Sequence, residues 1–263
     1  MPEVTSPYEP GTPCWVDLFA DDQQAALDFY RRLFGWEGEP GPAEFGGYAI
    51  CSLNGKAVAG IAPKMPMDDR PPPPTVWTTY LAVGDADATQ RKIIEAGGTM
   101  IAPTMTVGSV GRVGIAADPV GAVFGIWQPL DFFGAQVVGE PGAVVWNECN
   151  TSDVEASGRF YRDAIGLDHG PMADMEPYHG LTVDGRTVGG MQKIGEQFPP
   201  GTPPHWLVYF AVADVDATAA TAAQAGGAVV KGPFDTPVGK MAVLRDPQGA
   251  MMMIMAPEPL TGG

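Results

Sequence analysis

Two stretches of the chain follow one pattern. Residues 14–36 read CWVDLFADDQQAALDFYRRLFGW, and residues 145–167 read VWNECNTSDVEASGRFYRDAIGL. Each has a tryptophan, an acid two residues later, and then a helix-like segment with Phe-Tyr that is followed by glycine. The spacing is 131 residues for two pairs and falls slowly to 130, 129 and 128 for the next three: Trp15/Trp146, Tyr30/Tyr161, Tyr48/Tyr178, Tyr80/Tyr209 and Asp118/Asp246. Such a spacing indicates tandem homologous domains that differ by short insertions in loops.

The length agrees with a duplication. A chain of 263 residues has room for two domains of ordinary size. The repeat places the boundary near DFFGAQVVGEPG, residues 131–142. We therefore predict a first domain over residues 1–135 and a second over residues 136–263.

Composition limits the partners. The formal net charge of −16, with no basic cluster to offset it, argues against nucleic acid and against anionic membrane surfaces. The N-terminus lacks a signal-peptide pattern, and the longest apolar run, GAMMMIMA, is too short to span a bilayer. Three cysteines lie far apart without CxxC spacing, so they are expected to be buried thiols. We expect a cytoplasmic monomer or homodimer whose partner is a small molecule.

Local patterns predict an α+β fold. In each copy a strand and a helix precede a hairpin, and the same order then recurs. Asn54-Gly55 and Asp184-Gly185 are typical of tight hairpin turns, and Ser152 with Glu155 resembles a capping box. These patterns predict four βαβββ units that form concave sheets with helices on the outside. The proline-rich segments 63–74 and 192–204 are predicted to form the edges of the concave faces.

These motifs carry a family resemblance. The Phe-Tyr…Gly helix, the strand that ends in VxDxD and the closing DPxG turn resemble the vicinal oxygen chelate superfamily. That superfamily includes glyoxalase I, extradiol dioxygenases and bleomycin resistance proteins. The resemblance covers residues 11–128 and 142–256 and implies tandem glyoxalase-like domains. It does not select one activity, because lyases, isomerases, oxygenases and drug-binding proteins share this fold.

The resemblance also implies where a metal would bind. The family's ligand positions correspond here to six residues, three per domain: Trp15, Thr78, Gly125, Trp146, Leu207 and Met253. None offers the imidazole, carboxylate or thiolate that divalent metals prefer. We therefore predict no metal and no other cofactor.

Strand alternation predicts which side chains line the concave faces. The expected ligand-binding residues are aromatic or methionine: Trp15, Trp127, Trp146, Met251, Met253 and Met255. Such a lining suits a flat or bulky apolar ligand. The alternative is that these side chains fill a closed core.

Two acids sit among these apolar residues. Asp17 and Glu148 follow the tryptophans, with Tyr80 and Tyr209 on a neighbouring strand and His205 added in the second domain. We expect these five residues to form the catalytic group, with the second domain as the reactive one, since a carboxylate, a tyrosine and a histidine can together take and return a proton. The alternative is an acid–tyrosine hydrogen bond that only fixes the sheet.

Three functions remain open from the sequence. The first is metal-independent proton-transfer chemistry, such as cyclisation, isomerisation or elimination, on a medium-sized aromatic or polyketide-like molecule of secondary metabolism. The second is sequestration of a drug without catalysis, as in bleomycin resistance. The third is a metal-dependent, glyoxalase-like lyase with unusual ligands.

Overall fold

The computed structural model describes residues 3–64, 73–172 and 175–257. Residues 65–72, most of the first predicted edge segment, lie outside this part. The elements of the first half are β1 (Pro13–Ala20), α1 (Gln23–Phe34), a 3-10 turn (Ala43–Phe45), β2 (Ala49–Leu53), β3 (Lys56–Pro63), β4 (Trp77–Ala82), α2 (Ala86–Glu95), β5 (Thr99–Val107), β6 (Gly111–Ala117) and β7 (Val123–Pro129). Those of the second half are β8 (Val144–Thr151), α3 (Val154–Ile165), β9 (Asp168–Pro171), β10 (His179–Val183), β11 (Arg186–Lys193), β12 (His205–Ala211), α4 (Val215–Gln224), β13 (Ala228–Thr236), β14 (Gly239–Arg245) and β15 (Met251–Pro257).

The strands form two curved mixed sheets, one per half of the chain. The first has the order β2-β3-β1-β4-β7-β6-β5, and the second has the order β13-β14-β15-β12-β8-β11-β10-β9. In both, the first strand of the domain pairs with the strand that precedes the second helix, so the two repeated units meet at the centre of the sheet. The predicted tandem glyoxalase-like fold is confirmed, whereas the domain boundary at residue 135 stays a prediction.

One repeated unit lacks a strand that the others have. After α3 the chain forms β9, but after α1 it makes a single bridge between Glu37 and Ser52. The sequence after Trp36 reads EGEPGP, and proline and glycine both disfavour continuous strand pairing. The first sheet therefore has seven strands and the second has eight.

Aspartates begin all four described α-helices. Asp22, Asp85, Asp153 and Asp214 each accept a hydrogen bond from a backbone N–H in the first turn. The predicted capping box at Ser152 is wrong by one residue, because Asp153 supplies the cap and a carboxylate also interacts favourably with the helix N-terminus. Both predicted hairpin turns are confirmed, with positive φ at Asn54 and at Asp184.

The helices lie on the convex face of each sheet, and the two convex faces pack against each other. One apolar core joins β1 and α1 of the first domain to α4 and β15 of the second. A second core joins α2 and β7 to α3 and β11. Because the helices are shared in this way, the concave faces of the sheets stay free of them.

Matching hydrogen bonds cross between the domains. The Tyr30 hydroxyl donates to Asp246 at 3.0 Å and accepts from the Trp77 indole at 3.0 Å. The matching aspartate of the first domain, Asp118, accepts instead from the Ser157 hydroxyl at 2.9 Å. The aspartate of each DPxG turn therefore binds the first helix of the other domain.

No helix in the described residues is long and apolar enough to cross a membrane.

Replacement of Tyr30 by Phe tests this interface. The change leaves the Trp77 indole without an acceptor and removes a donor from the buried Asp246, so the free energy of unfolding should fall by about 1 to 3 kcal/mol. Chemical denaturation measures the loss. Tyr161 accepts from Trp206 but does not bind Asp118, so Tyr161→Phe should cost less. Equal or negligible losses in both variants would contradict the role given to Tyr30.

Candidate functional site

The first concave face, here called the first cup, surrounds a buried carboxyl group. Asp17 is 3 % exposed and accepts hydrogen bonds at Oδ2 from the hydroxyls of Tyr80, at 2.9 Å, and Tyr48, at 3.2 Å. The Trp15 indole donates to the Tyr48 hydroxyl at 2.7 Å. Oδ1 of Asp17 is buried and has no hydrogen-bond partner among the described residues. One carboxyl oxygen is therefore fixed by two hydroxyl groups, and the other is buried and unpaired among the described residues.

The second cup repeats this arrangement with one added contact. Glu148 is 2 % exposed, and its Oε2 accepts from Tyr178 at 2.8 Å. The Trp146 indole donates to Tyr178 at 2.9 Å. Gln192 donates to Oε1 of Glu148 at 2.8 Å, so both carboxylate oxygens have a partner. The first domain has Ala62 at the position of Gln192, which explains the free oxygen of Asp17.

Sequence reasoning missed Tyr48 and Tyr178 as site residues. Tyr48 directly precedes β2 and Tyr178 directly precedes β10, and their hydroxyls occupy the space above Gly60 and Gly190, where any β-carbon would clash with them. Those glycines stand directly opposite Asp17 and Glu148 in the neighbouring strand. The matched Tyr48/Tyr178 spacing was a signal for this pair, but no strand pattern showed on which face they lie.

Tyr80 and Tyr209 face the two carboxyls in different surroundings. Tyr80 packs over Gly125, where a β-carbon would overlap its ring, and this brings its hydroxyl to Asp17. Tyr209 stands beside Met253 instead. Burial, then the charge of Glu148 and a hydrogen bond to that carboxylate, raise the pKa of Tyr209 well above its usual value. Glu148 also accepts 2.8 Å hydrogen bonds from Tyr178 and Gln192.

Burial governs the electrostatics of the first cup. It raises the pKa of Asp17 from 3.8 to about 7, although the hydrogen bonds from Tyr80 and Tyr48 lower it in part. Burial and the nearby Asp17 charge raise the pKa of both tyrosines well above their usual value, so they stay protonated donors. Near neutral pH, Asp17 can thus exist with or without its proton.

One end of the first cup is filled by an aromatic side chain. Phe132, in the segment that joins the domains, packs edge-on against Trp15 with ring centroids 4.9 Å apart. It also contacts Trp127, whose indole donates to the Phe132 carbonyl at 2.9 Å. On the other side of Asp17, Thr78 and Phe19 are partly exposed. Among the described neighbours of Asp17 on this face, the more exposed side chains therefore lie on this second side.

The second cup is lined by methionines and aromatic residues. Met253 and Met255 pack with Tyr209, and Trp146 lies partly buried against them. Met251 was expected to join them, but it is 37 % exposed at the start of β15 and lies outside this cluster.

Of the expected trio of Glu148, His205 and Tyr209, the tyrosine hydroxyl interacts with Glu148, but His205 does not. His205 faces the cup one pair of residues further along, opposite Asn150, and its Nδ1 lies 2.8 Å from the Pro203 carbonyl oxygen. Leu207 stands opposite Glu148 between them.

The family's metal positions do not suit a metal in either cup. They carry tryptophan, threonine, glycine, leucine and methionine side chains, and the register places Trp15 and Gly125 on either side of Tyr80. No group of three or more His, Cys, Asp or Glu side chains comes together in the part of the chain that the structure describes. The donors that a divalent metal needs are therefore not provided there.

The family model named Glyoxalase/Bleomycin resistance protein/Dioxygenase superfamily matches residues 14–126 and 134–254. The chain therefore belongs to this superfamily, as the repeated motifs predicted. Its fold is similar to the Mn(II)-bound glyoxalase from Novosphingobium aromaticivorans, with a TM-score of 0.65 and 15 % identity over 94 % of this chain and 82 % of that one. The 2,3-dioxygenase LapB from Pseudomonas sp. KL28 gives 0.63 and 12 % identity over 93 % and 91 %.

Two relatives are similar in sequence over nearly the whole chain. The Mycobacterium tuberculosis (strain CDC 1551 / Oshkosh) protein named "Putative glyoxylase CFP32" is 45 % identical over 259 residues, 97 % of this chain and 98 % of that protein. The anthracycline biosynthesis protein DauV of Streptomyces sp. (strain C5) is 39 % identical over 261 residues, 92 % of both chains.

The raised pKa of Asp17 makes a stability prediction. Between about pH 4 and pH 7 the folded protein keeps a proton that the unfolded chain has released, so stability falls as pH rises and levels off above pH 7. Asp17→Asn lacks this loss. The free energy of unfolding of this variant, minus that of the wild type, should therefore increase by up to about 4 kcal/mol as the pH rises from about 4 to about 7.

Urea denaturation of both proteins at several pH values measures the difference. Tyr80→Phe provides a control, since it removes a hydrogen bond that lowers the Asp17 pKa and should move the upper end of the window above pH 7. A difference between Asp17→Asn and wild type that does not change with pH would contradict the raised pKa.

Proposed function

We propose that the first cup binds a medium-sized aromatic or polyketide-like metabolite and transfers a proton on it, without a metal. The observation that carries the proposal is the Asp17 carboxyl group, which has one oxygen held by two tyrosines and one buried oxygen without a partner. A buried polar atom of this kind is costly unless a ligand satisfies it. The pKa of about 7 is well matched to a general acid or base at neutral pH.

The chemistry follows from the two oxygens. Ionised Asp17 accepts through Oδ1 a proton from a carbon next to a carbonyl group of the ligand, which leaves an enolate on the ligand. Tyr48 and Tyr80 stabilise the carboxylate through Oδ2 during this step. Asp17 then returns the same proton to another atom of the ligand. These two proton transfers together isomerise the ligand without net oxidation. Cyclisation or elimination can begin from the same enolate.

The ligand class rests on the lining and on the relatives. Trp15, Tyr80 and Trp127 form a buried aromatic cluster beside Asp17, and a ligand that displaces Phe132 would pack against their rings. DauV and the 39 % identical DnrV of Streptomyces peucetius are named anthracycline biosynthesis proteins. These names support a ligand of secondary metabolism with a polycyclic aromatic skeleton.

The contacts of Glu148 favour a binding role for the second cup. Both carboxylate oxygens of Glu148 already accept hydrogen bonds from the protein, so neither is left unpaired for a ligand as Oδ1 of Asp17 is. The sequence instead favoured Glu148 as the reactive acid, and that expectation stays a prediction. These contacts of Glu148 also agree with the sequestration alternative, in which both cups bind a ligand and no reaction follows.

A glyoxalase-like lyase is less well supported, although one relative carries a glyoxylase name. The purified protein should contain no stoichiometric divalent metal, because the six family ligand positions lack donor side chains. Elemental analysis with activity measured before and after chelation checks this. About one zinc, nickel or manganese per chain, with activity lost on chelation, would contradict the proposal.

Proton abstraction can be measured with a small flat ketone. We expect the wild type to speed the exchange of the α-hydrogens of 2-tetralone with deuterium from the solvent, followed by NMR. Asp17→Asn should lower the catalysed rate by roughly 10²- to 10⁴-fold, the range typical of a general base. Glu148→Gln, the matched change in the second cup, should alter it by less than about tenfold.

Each other outcome has a definite meaning. A large loss in Glu148→Gln with little change in Asp17→Asn would place the reaction in the second cup. Binding of 2-tetralone without exchange would favour sequestration over catalysis.

A further inference from the structure

The second cup contains an amide group that the proposed proton transfer does not use. Asn150 follows Glu148 by two residues on β8 and is 0 % exposed. Both its Oδ1 and its Nδ2 are buried without a hydrogen-bond partner among the described residues. A buried amide with neither atom paired costs free energy, typically about 1 to 3 kcal/mol per unpaired group.

The side chain of Asn150 points into the second cup. Cys149 and Thr151, its neighbours on β8, contact the α3 residues Tyr161 and Ser157 on the convex side. Alternation along a strand therefore turns Asn150 to the concave side, with Glu148. Gln192 and His205 stand on either side of it in the two neighbouring strands.

The neighbours of Asn150 leave its amide available. Gln192 donates its amide to Glu148, and the Nδ1 of His205 lies by the Pro203 carbonyl oxygen. In the first domain the same three places hold Phe19, Ala62 and Val76, all apolar. This polar group thus belongs to the second cup alone.

The described segment 194–204 covers this end of the cup. Phe198 packs edge-on against His205, with ring centroids 6.3 Å apart. Among the backbone hydrogen bonds of this segment, one reaches the sheet, from Ile194 N–H to the Thr151 carbonyl at 2.8 Å, while those of Phe198 and Thr202 stay within the segment. Few bonds therefore need to break for the segment to move and admit a ligand.

We infer that Asn150 recognises a neutral cis-amide edge on the ligand, such as a primary carboxamide, a lactam or an imide. The inference rests on the proposed role of the second cup as a binding site. An amide presents one donor and one acceptor side by side, and the group that pairs with both at once is another amide of that geometry. A carboxylate ligand is disfavoured, because Glu148 lies on the same face and the chain carries a net charge of −16.

Two naphthalene probes of nearly equal shape test the inference. 2-Naphthamide carries the donor and the acceptor, whereas 2-acetylnaphthalene keeps the carbonyl and has a methyl group in place of the NH₂. Isothermal titration calorimetry should show that the wild type prefers the amide by about 3- to 10-fold, the effect of one hydrogen bond. Asn150→Leu should prefer the ketone, because the amide then loses its partner.

The same variant has a thermal signature. Asn150→Leu replaces an unpaired amide with an apolar side chain of similar size, so its melting temperature should rise by a few degrees. Asn147 is a matched control on the same strand, since it is buried but accepts a 2.8 Å hydrogen bond from Thr79. Asn147→Leu should lower the melting temperature and leave the probe preference unchanged.

The outcomes separate the inference from the proposed function. If the wild type binds both probes equally, or if Asn150→Leu keeps the preference for the amide, the role of Asn150 is wrong and the cup still binds aromatic ligands. If neither probe binds, the second cup is not an aromatic binding site, and its proposed binding role and the role of Asn150 are both wrong. A lowered melting temperature in Asn150→Leu would show that the amide is paired within the protein and would also overturn the inference.

Discussion

The convex face of each sheet has to be buried, and neither domain buries its own face alone. Each is covered by helices that the other domain also packs against, so the two apolar cores both contain residues from the two halves of the chain. The DPxG aspartates reinforce this arrangement, because each binds the first helix of the opposite domain. The Phe-Tyr pair of the repeat is therefore a component of the interface. With the apolar convex surfaces satisfied by one another, the concave faces can carry polar groups.

The duplication has preserved a motif and changed its chemistry. In both cups a tryptophan indole donates to a tyrosine, and that tyrosine donates to a carboxyl group. Two exchanges, Gln192 against Ala62 and Glu148 against Asp17, separate a carboxylate with both oxygens hydrogen-bonded from one with an oxygen that is unpaired among the described residues. Burial then raises the pKa of Asp17 toward neutrality. The two matched sites thus differ in how the oxygens of their carboxyl groups are paired.

The repeat spacing predicted the fold because covalent order and hydrophobic period are both visible in a sequence. Strand alternation also placed Trp15, Asp17 and Tyr80 on one face correctly. It could not reveal Tyr48 or Gln192, since contacts across neighbouring strands depend on register and on the space that Gly60 leaves for a ring. The parity of His205 was correct, but its orientation is set by the Pro203 carbonyl, which no period encodes. The two sheets differ in their number of strands, seven against eight, for a local reason, the EGEPGP stretch after Trp36.

Phe132 occupies part of the first cup, although it belongs to the connection between the domains. A ligand that reaches Trp15 and Trp127 has to displace it, so part of the binding free energy is consumed in breaking contacts that hold the connection in place. By thermodynamic linkage, an event that loosens the connection between the domains raises the affinity for such a ligand. Binding of the ligand favours the loosened connection by the same factor. Binding of such a ligand and the ordered packing of the interdomain segment therefore oppose each other.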